Sequence, residues 1–328
     1  MKQGTHEIIP PTNSNLFISV VIPVYNGEKS IEPLVESVFA ALSPYYRTEV
    51  VMVNDGSEDN SAEACIRVHK RFPESTVFVN LSRNFGEHNA VLAGLAHTSG
   101  DYAGIIDDDF QNPPEEIIAL VEHALKCHCD VVYSFFDKKK HSLFRNLGSR
   151  FNDRVATIML KKPRDLYLSS FKVLSRFLIN EVCKYQGPFP YLDGIIFRIS
   201  RSYGKVKVRH NWRMEGKSNY NIHRLIRLWL NMFTNFSILP LRLSIVLGLM
   251  VTGIGLVFGM VTVIERLRYP NVPAGYASLM ILFIIFSGVQ LTSLGMIGEY
   301  LGRIFFTQNG TPLYIVKEVY RSDGNKRI

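Results

Sequence analysis

Two stretches toward the C-terminal end constrain this chain more than any other feature. Leu243–Ile264 runs for 22 residues without a charged side chain, and Ala274–Gly298 for 25. About 20 mostly apolar residues in helical form span the hydrocarbon core of a bilayer, and helices of soluble proteins rarely stay uncharged so long. Both stretches are expected to be transmembrane helices. Gly248, Gly253, Gly255 and Gly259 suit close packing along the first. The connector Glu265–Pro273 holds Arg266 and Arg268, while the flanks hold more positive charge, including Arg224, Arg227, Arg242, Arg303 and Lys317. The positive-inside rule then places the N-terminal domain and the C-terminal end in the cytoplasm. Met1–Asn15 is polar and lacks the pattern of a secretory leader.

The N-terminal two-thirds has a different rhythm. Apolar, β-branched runs at Phe17–Val24, Thr48–Asp55, Thr76–Leu81, Tyr102–Asp107 and Asp130–Phe135 read as strands. Helical patterns lie between them at Glu28–Leu42, Glu58–Phe72, Glu87–His97 and Pro113–Cys127. Such alternation predicts parallel βαβ units in an α/β domain. Sheets of this kind bind ligands beyond the carboxyl ends of their strands, so the polar residues there carry the chemical information. Asn112 is placed to cap the fourth helix, with Pro113 in its first position and Glu115 and Glu116 in its first turn.

The fourth strand ends in Asp107-Asp108-Asp109, followed by Phe110 and Gln111. Three carboxylates in a row are costly without a cation. Along an extended chain Asp107 and Asp109 share one side and Asp108 takes the other. Asp107, Asp109 and Gln111 therefore form an oxygen set for a hard divalent ion, Mg²⁺ or Mn²⁺, which also holds substrate phosphates. Asp55 ends the second strand. Asp193 in Pro190-Tyr191-Leu192-Asp193-Gly194 is the best carboxylate for a base, with an ordinary turn residue as the equal alternative; Asp165 is a weaker choice. The four cysteines, Cys65, Cys127, Cys129 and Cys183, are too few for a disulfide scaffold. Cys127-His128-Cys129 lacks the spacing of a zinc knuckle and reads as reduced thiols in a cytosolic compartment.

Taken in order, PVYNGE, VNDGSEDNS, LSRNFGEHNAVLAGL and IDDDFQNPPEE resemble glycosyltransferase family 2. Within it the chain is most similar to polyprenyl-phosphate glycosyltransferases of the dolichol-phosphate mannosyltransferase and bactoprenol glucosyltransferase type. Arg145–Ser149, Arg213–Tyr220 and Gly298–Arg303 extend the resemblance over nearly the whole chain. It implies a GT-A, Rossmann-like nucleotide-diphospho-sugar transferase domain followed by a C-terminal two-helix transmembrane region. The expected division is a cytoplasmic GT-A catalytic domain over residues 1–215, a juxtamembrane amphipathic helix over 216–240, two transmembrane helices over 241–298 and a cytoplasmic tail over 299–328.

By the resemblance, Pro23, Tyr25, Glu28 and Asp55 line the base and ribose pocket, and Arg83 joins the nucleotide-sugar set. Asp107, Asp109 and Gln111 hold the metal and the donor diphosphate, Arg213 closes over the phosphates, and Arg145 and Ser149 bind the lipid phosphate. Asp107, Asp109 and Asp193 are the candidate catalytic residues. Where the family commonly has arginines after the fifth strand, this chain has Phe136 and Lys139, and Lys lacks the bidentate fork of Arg. Asn219 stands where the family tends to have Lys, with Lys217 two residues earlier.

The implied reaction is inverting, metal-dependent transfer of a sugar from a UDP- or GDP-linked donor to a polyprenyl phosphate. The implied setting is the cytoplasmic face of a membrane, foremost the bacterial inner membrane, with a homo-oligomer as a further implied partner. A transferase for another membrane acceptor and a non-catalytic membrane scaffold are the alternatives. A processive synthase would need more spans and a Gln-x-x-Arg-Trp motif, and neither is present.

Charge agrees with a membrane setting. The net charge is +8. Between Arg201 and Arg242 stand nine basic residues and one acidic, Glu215, which equals the whole surplus. The sequence has no recognised nucleic-acid module. The positive charge sits where the chain approaches the bilayer, and each juxtamembrane Lys or Arg gains about 1 kcal/mol near anionic lipid. Within this region Ile222, Leu225, Ile226, Trp229, Phe233 and Phe236 recur at helical spacing, the pattern of an interfacial helix.

Overall fold

Strand β1 (Phe17–Val24) is buried on both faces and pairs in parallel with β2 (Arg47–Asn54) on one side and β4 (Tyr102–Ile105) on the other. The computed structural model that establishes this describes residues 15–136, 157, 162–163, 166–188, 190–209, 211, 239–268, 275–322 and 326–327. Strand β3 (Thr76–Leu81) extends the parallel set beyond β2. Helices α1 (Ile31–Leu42), α2 (Ser61–Arg71), α3 (Glu87–Leu95) and α4 (Glu116–Cys127) connect or follow these strands. Alternate residues of β1 face opposite layers. Ile18, Val20, Ile22 and Val24 join one apolar core with residues of α1, α2 and α4, while α3 packs on β1 and β2. Each such Val, Ile or Leu contributes about 1.5–3 kcal/mol when fully buried.

The sheet is mixed rather than parallel throughout. Beyond β4 lie β6 (Lys172–Ser175), β5 (Val131–Phe135) and β7 (Tyr203–Lys207), and beyond β3 lie β8 (Val316–Tyr320) and β9 (Lys326–Arg327). The order is β7-β5-β6-β4-β1-β2-β3-β8-β9. β6 runs antiparallel to both β4 and β5, and β8 antiparallel to β3. The expected α/β class and the central strands agree with the sequence reading, and the antiparallel additions correct it. Two short helices, α5 (Arg176–Val182) and α6 (Leu192–Ile199), complete this part.

Boundaries move where local chemistry competes. Pro113 and Pro114 precede α4 instead of opening it: Glu116 N–H donates to Pro113 O at 3.1 Å, and Glu115 takes the cap position expected for Asn112. At the other end His128 turns left-handed (φ 51°), bringing the Cα atoms of Cys127 and Cys129 to 5.2 Å. Those two sulfurs form a disulfide, which corrects the expectation of reduced thiols. Cys65 and Cys183 are free.

The chain forms two compact units, Met1–Tyr220 with Pro312–Ile328, and Asn221–Thr311. The second holds helices α7 (Leu239–Arg268, 30 residues) and α8 (Tyr276–Gln308, 33 residues). Among the described residues one helix is long and apolar enough to cross a membrane, over Ser244–Val261, with mean hydropathy 2.3 and none of that window buried. The expected tail from residue 299 is divided differently: α8 continues to Gln308, and the segment from Pro312 belongs to the catalytic sheet through β8. The expected amphipathic helix over 216–240 lies almost wholly outside the described residues.

Candidate active site

The strand order reverses at β1. The chain progresses from β1 to β2 to β3, then crosses back so that β4 flanks β1 on its other side. Such a switch point opens a crevice at the carboxyl ends of the two strands. Val21 pairs with Ile105, which sets Asp107 level with the end of β1, and Val24 pairs with Asn54, which sets Asp55 at the same height. The acidic turn, the Tyr25–Glu28 loop and Asp55 therefore share one end of the sheet.

Glycine makes this meeting close. A Cβ on Gly27 would stand 2.3 Å from Asp108 Oδ2, so Gly27 lets the β1 loop press against the acidic turn with the Asp108 carboxylate in its present place. Gly56, with φ +63°, would carry a Cβ 2.4 Å from the Asn84 backbone nitrogen. A side chain at residue 56 would thus push away the loop that follows β3.

Hydrogen bonds fix the nucleotide-side loops. Asn26 N–H donates to Ser57 Oγ at 3.0 Å, and Glu58 N–H donates back to Asn26 Oδ1 at 3.0 Å. Glu28 Oε1 accepts from Asn60 at 3.1 Å. Pro23 is half-buried and Tyr25 is 44% exposed, free to face a ligand. The Arg83 guanidinium lies 4.8 Å from the centre of the Phe85 ring. Asp55 is buried, and its two oxygens accept the N–H groups of Phe85 (2.7 Å) and Gly86 (2.9 Å). Burial raises its pKa, against those two bonds.

The acidic turn divides its side chains. Asp108 lies against Gly27, and its charge acts on Cys65, whose thiol is pushed up first by burial. Asp107 takes another direction: Ser170 Oγ donates to its Oδ2 at 2.6 Å, and its charge interacts with Glu87, Asp109 and Lys172. Burial, then the Glu87 charge, then that of Asp109 raise the Asp107 carboxyl to about 7. Phe110 adopts a left-handed φ of 59°, which turns the chain sharply between Asp109 and Gln111. Gln111 N–H donates to Asp109 Oδ1 at 3.1 Å, and Gln111 O accepts from Asn211 N–H at 2.8 Å. Among the described residues no three His, Cys, Asp or Glu side chains form a metal group by themselves. Asp107 and Asp109 stay close enough for their charges to interact, and Gln111 follows them beyond the Phe110 turn. Burial first, and the neighbouring carboxylates second, thus disfavour the charged form of Asp107.

Several residues of this site were given no role from the motifs, although Glu87 and His88 lie inside LSRNFGEHNAVLAGL. Glu87 opens α3 as an exposed residue, and desolvation of its carboxyl by the protein around it is the main cause that raises its pKa. Lys172 on β6 is almost fully buried and ion-paired with Asp193 Oδ1, which also accepts the Tyr133 hydroxyl at 3.0 Å. His88 stands edge-on to Tyr191, ring centres 5.2 Å apart, and burial lowers its pKa to about 4. Asp193 thus joins the cluster that contains Asp107. One signal was available: Lys172 interrupts the apolar run Phe171–Leu174, and a lysine inside a buried strand needs a counter-charge. Lys139, Arg145, Ser149, Asp165 and Arg213 lie outside the described residues.

Comparison with known proteins places this arrangement. The family model for glycosyl transferase family 2 matches residues 19–183, which contain Asp55 and the acidic turn. Undecaprenyl-phosphate 4-deoxy-4-formamido-L-arabinose transferase of Klebsiella pneumoniae subsp. pneumoniae is 32% identical over 93% of this chain and 94% of its own. The protein of the same name from Pseudomonas paraeruginosa is 33% identical over 93% and 91%. Among solved structures, Mycobacterium tuberculosis glucosyl-3-phosphoglycerate synthase superposes with a TM-score of 0.49 at 20% identity, over 67% of this chain and 78% of that one. A likeness of that degree says nothing of this chain's chemistry. The family match and the near full-length relatives carry the conclusion: this chain belongs to glycosyltransferase family 2 and is a sugar-transferring enzyme.

Proposed function

We propose that this enzyme moves a sugar from a nucleoside-diphosphate donor to a polyprenyl phosphate at the cytoplasmic face of a membrane, with inversion at the anomeric carbon. The observation that carries the reading is the meeting of the Tyr25–Glu28 loop, Asp55 and the Asp107–Asp109 turn at the switch point between β1 and β4. Relatives named for transfer to undecaprenyl phosphate, alike over almost the whole chain, support the acceptor.

Pro23, Tyr25, Glu28, Asp55 and Arg83 would seat the nucleotide. Asp107, Asp109 and Gln111 would hold Mg²⁺ or Mn²⁺ beside the diphosphate. A bound divalent ion supplies electrostatic stabilisation of the charge that develops on the leaving diphosphate. Arg213 would add positive charge over the donor phosphates, and Lys139, Arg145 and Ser149 would grip the acceptor phosphate. That phosphate has a second pKa near ~6, so it arrives ionised at neutral pH and needs no strong base. Attack in line with the departing diphosphate forms the new C–O bond from the opposite face and inverts the centre.

The fold supports a membrane topology with both flanking segments on one face. Strand β8 returns to the catalytic sheet after α7 and α8, so the segments before and after those helices lie on one side of any bilayer. An even number of crossings meets that condition, with Ser244–Val261 as one span and the charge-free first part of α8 as the other. The basic residues flanking the helices favour the cytoplasm for both segments.

The test incubates purified full-length protein with polyprenyl phosphate, Mg²⁺ or Mn²⁺ and a panel of UDP- and GDP-sugars. One donor is expected to give a glycolipid, and chelation is expected to stop its formation. Folded protein that makes no glycolipid with any donor rejects the reading.

A further inference from the structure

Asp193 is held in an unusual way. It is 6% exposed, on the first turn of α6, and two donors converge on the same carboxylate oxygen. Lys172 reaches Oδ1 from β6 and the Tyr133 hydroxyl reaches it from β5. The Lys172 ammonium also lies 5.1 Å from the centre of the Tyr133 ring, so the three groups lock one another. Among the described residues neither bond uses Oδ2.

The surroundings are those of a donor site more than of a base. Lys172 pairs with Ile105, two residues before Asp107, and Ser170, two residues before Lys172, donates to Asp107 Oδ2 at 2.6 Å. The cluster therefore flanks the acidic turn where the diphosphate would lie. What comes next along a nucleotide sugar is the sugar itself. A fixed carboxylate, a second carboxylate on Glu87 and a neutral imidazole edge-on to Tyr191 form a set that recognises sugar hydroxyls. A carboxylate facing an incoming phosphate anion would repel it, whereas a hydroxyl donates to it at no such cost.

We propose that Lys172, Tyr133 and Asp193 form the recognition unit for the donor's sugar. In this unit Lys172 and Tyr133 are positioning residues that fix Oδ1, and Asp193 presents Oδ2 to a sugar hydroxyl. The proposal rests on the nucleotide-sugar reading above and gives Asp193 specificity rather than proton transfer as its task.

The experiment measures binding to the full-length protein in nanodiscs. The probes are UDP and GDP without a sugar, and UDP-glucose, UDP-galactose, UDP-N-acetylglucosamine, UDP-arabinose and GDP-mannose. One nucleotide sugar is expected to bind more tightly than its bare nucleotide. Asp193→Asn should reduce that advantage by about tenfold or more, the loss of a hydrogen bond to a charged group, and leave the bare nucleotide within about twofold. Tyr133→Phe keeps the ion pair and hence the fold. It should reduce the same advantage, and the double variant should bind no more weakly than Asp193→Asn alone, because the two residues act as one unit. Equal weakening of bare nucleotide and nucleotide sugar would overturn the proposal, as would unchanged nucleotide-sugar affinity in both single variants, or an unaltered protein that binds bare nucleotide as tightly as every sugar form. Failure of the unaltered protein to bind any nucleotide would instead remove the functional reading beneath it.

Discussion

Asp55 Oδ2 accepts the Gly86 N–H at 2.9 Å, and this bond ties the end of β2 to the start of α3. Its other oxygen accepts the Phe85 N–H at 2.7 Å. A residue read from the sequence as part of the nucleotide pocket is therefore also the anchor of the loop that leads into α3. Asp55→Asn leaves one acceptor where two are used and turns an amide N–H₂ toward a backbone N–H. The expected cost is about 1–3 kcal/mol, seen as a fall in melting temperature, together with weaker nucleotide binding as Arg83 and Phe85 lose their anchor. Unchanged melting would show that the anchor is dispensable.

The raised carboxyl of Asp107 gives a pH dependence with a definite sign. Its folded pKa of about 7 lies above the ordinary 3.8. Its favourable contribution is thus complete below 3.8 and is lost as pH rises through about 7. A divalent cation binds the ionised form, so thermal stabilisation by Mn²⁺ should be larger at pH 8 than at pH 6. Asp107→Asn removes the charge while an amide oxygen remains to accept from Ser170. The metal-free variant should melt at or above the unaltered protein at pH 8 and lose Mn²⁺ stabilisation and transfer. Equal Mn²⁺ stabilisation at both pH values would contradict the assignment.

The parallel centre was legible because its strands are buried on both faces and read as unbroken apolar runs. The acidic turn was legible because of its place at the end of the fourth strand, with Asp55 at the end of the second; three carboxylates alone would also read as a solvated turn. The antiparallel additions were not. β6 is four residues long with Lys172 as its first, and β8 (Val-Lys-Glu-Val-Tyr) mixes charged and apolar residues without the alternation of a strand. The partner of β8 lies more than 200 residues away in sequence, beyond any local pattern. The Glu87, Lys172 and Asp193 cluster was hidden for the same reason, since only the pairing of β6 with β4 and β5 brings Lys172 under the acidic turn.

Arg209 straps the exit of the catalytic domain to the acidic loop. Its Nε donates to Glu116 Oε1 at 2.6 Å and its second amino group to Glu115 Oε1 at 3.0 Å, while two residues on Asn211 binds Gln111. Glu116 is buried, so Arg209→Ala leaves a charge without its partner, whereas the exposed Glu115 pair adds little. A loss of about 1–3 kcal/mol is expected, with a raised KM for donor because the segment leading to Arg213 is released. Arg209→Lys should recover only part of this, since one ammonium cannot serve both carboxylates. Full recovery by Lys would mean that charge alone, and not the fork, matters here.

Strand β8 closes an edge of the sheet that would otherwise stand open. Val79 pairs with Val319, the Tyr320 ring packs 5.5 Å from the Phe78 ring, and Arg321 donates to His97 O at 3.2 Å. A chain ended at Thr311 keeps both long helices but bares the β3 backbone, the template for pairing with another molecule. It should melt several degrees lower, at about 2–4 °C for each kcal/mol lost from a domain of this size, and should associate on sizing in detergent. Tyr320→Ala, which removes the ring but keeps the strand, should show the lower melting temperature without the association. If the truncated chain stays monodisperse and melts with the full-length protein, then β8 does not protect that edge, and the return of the chain to the sheet would serve topology alone.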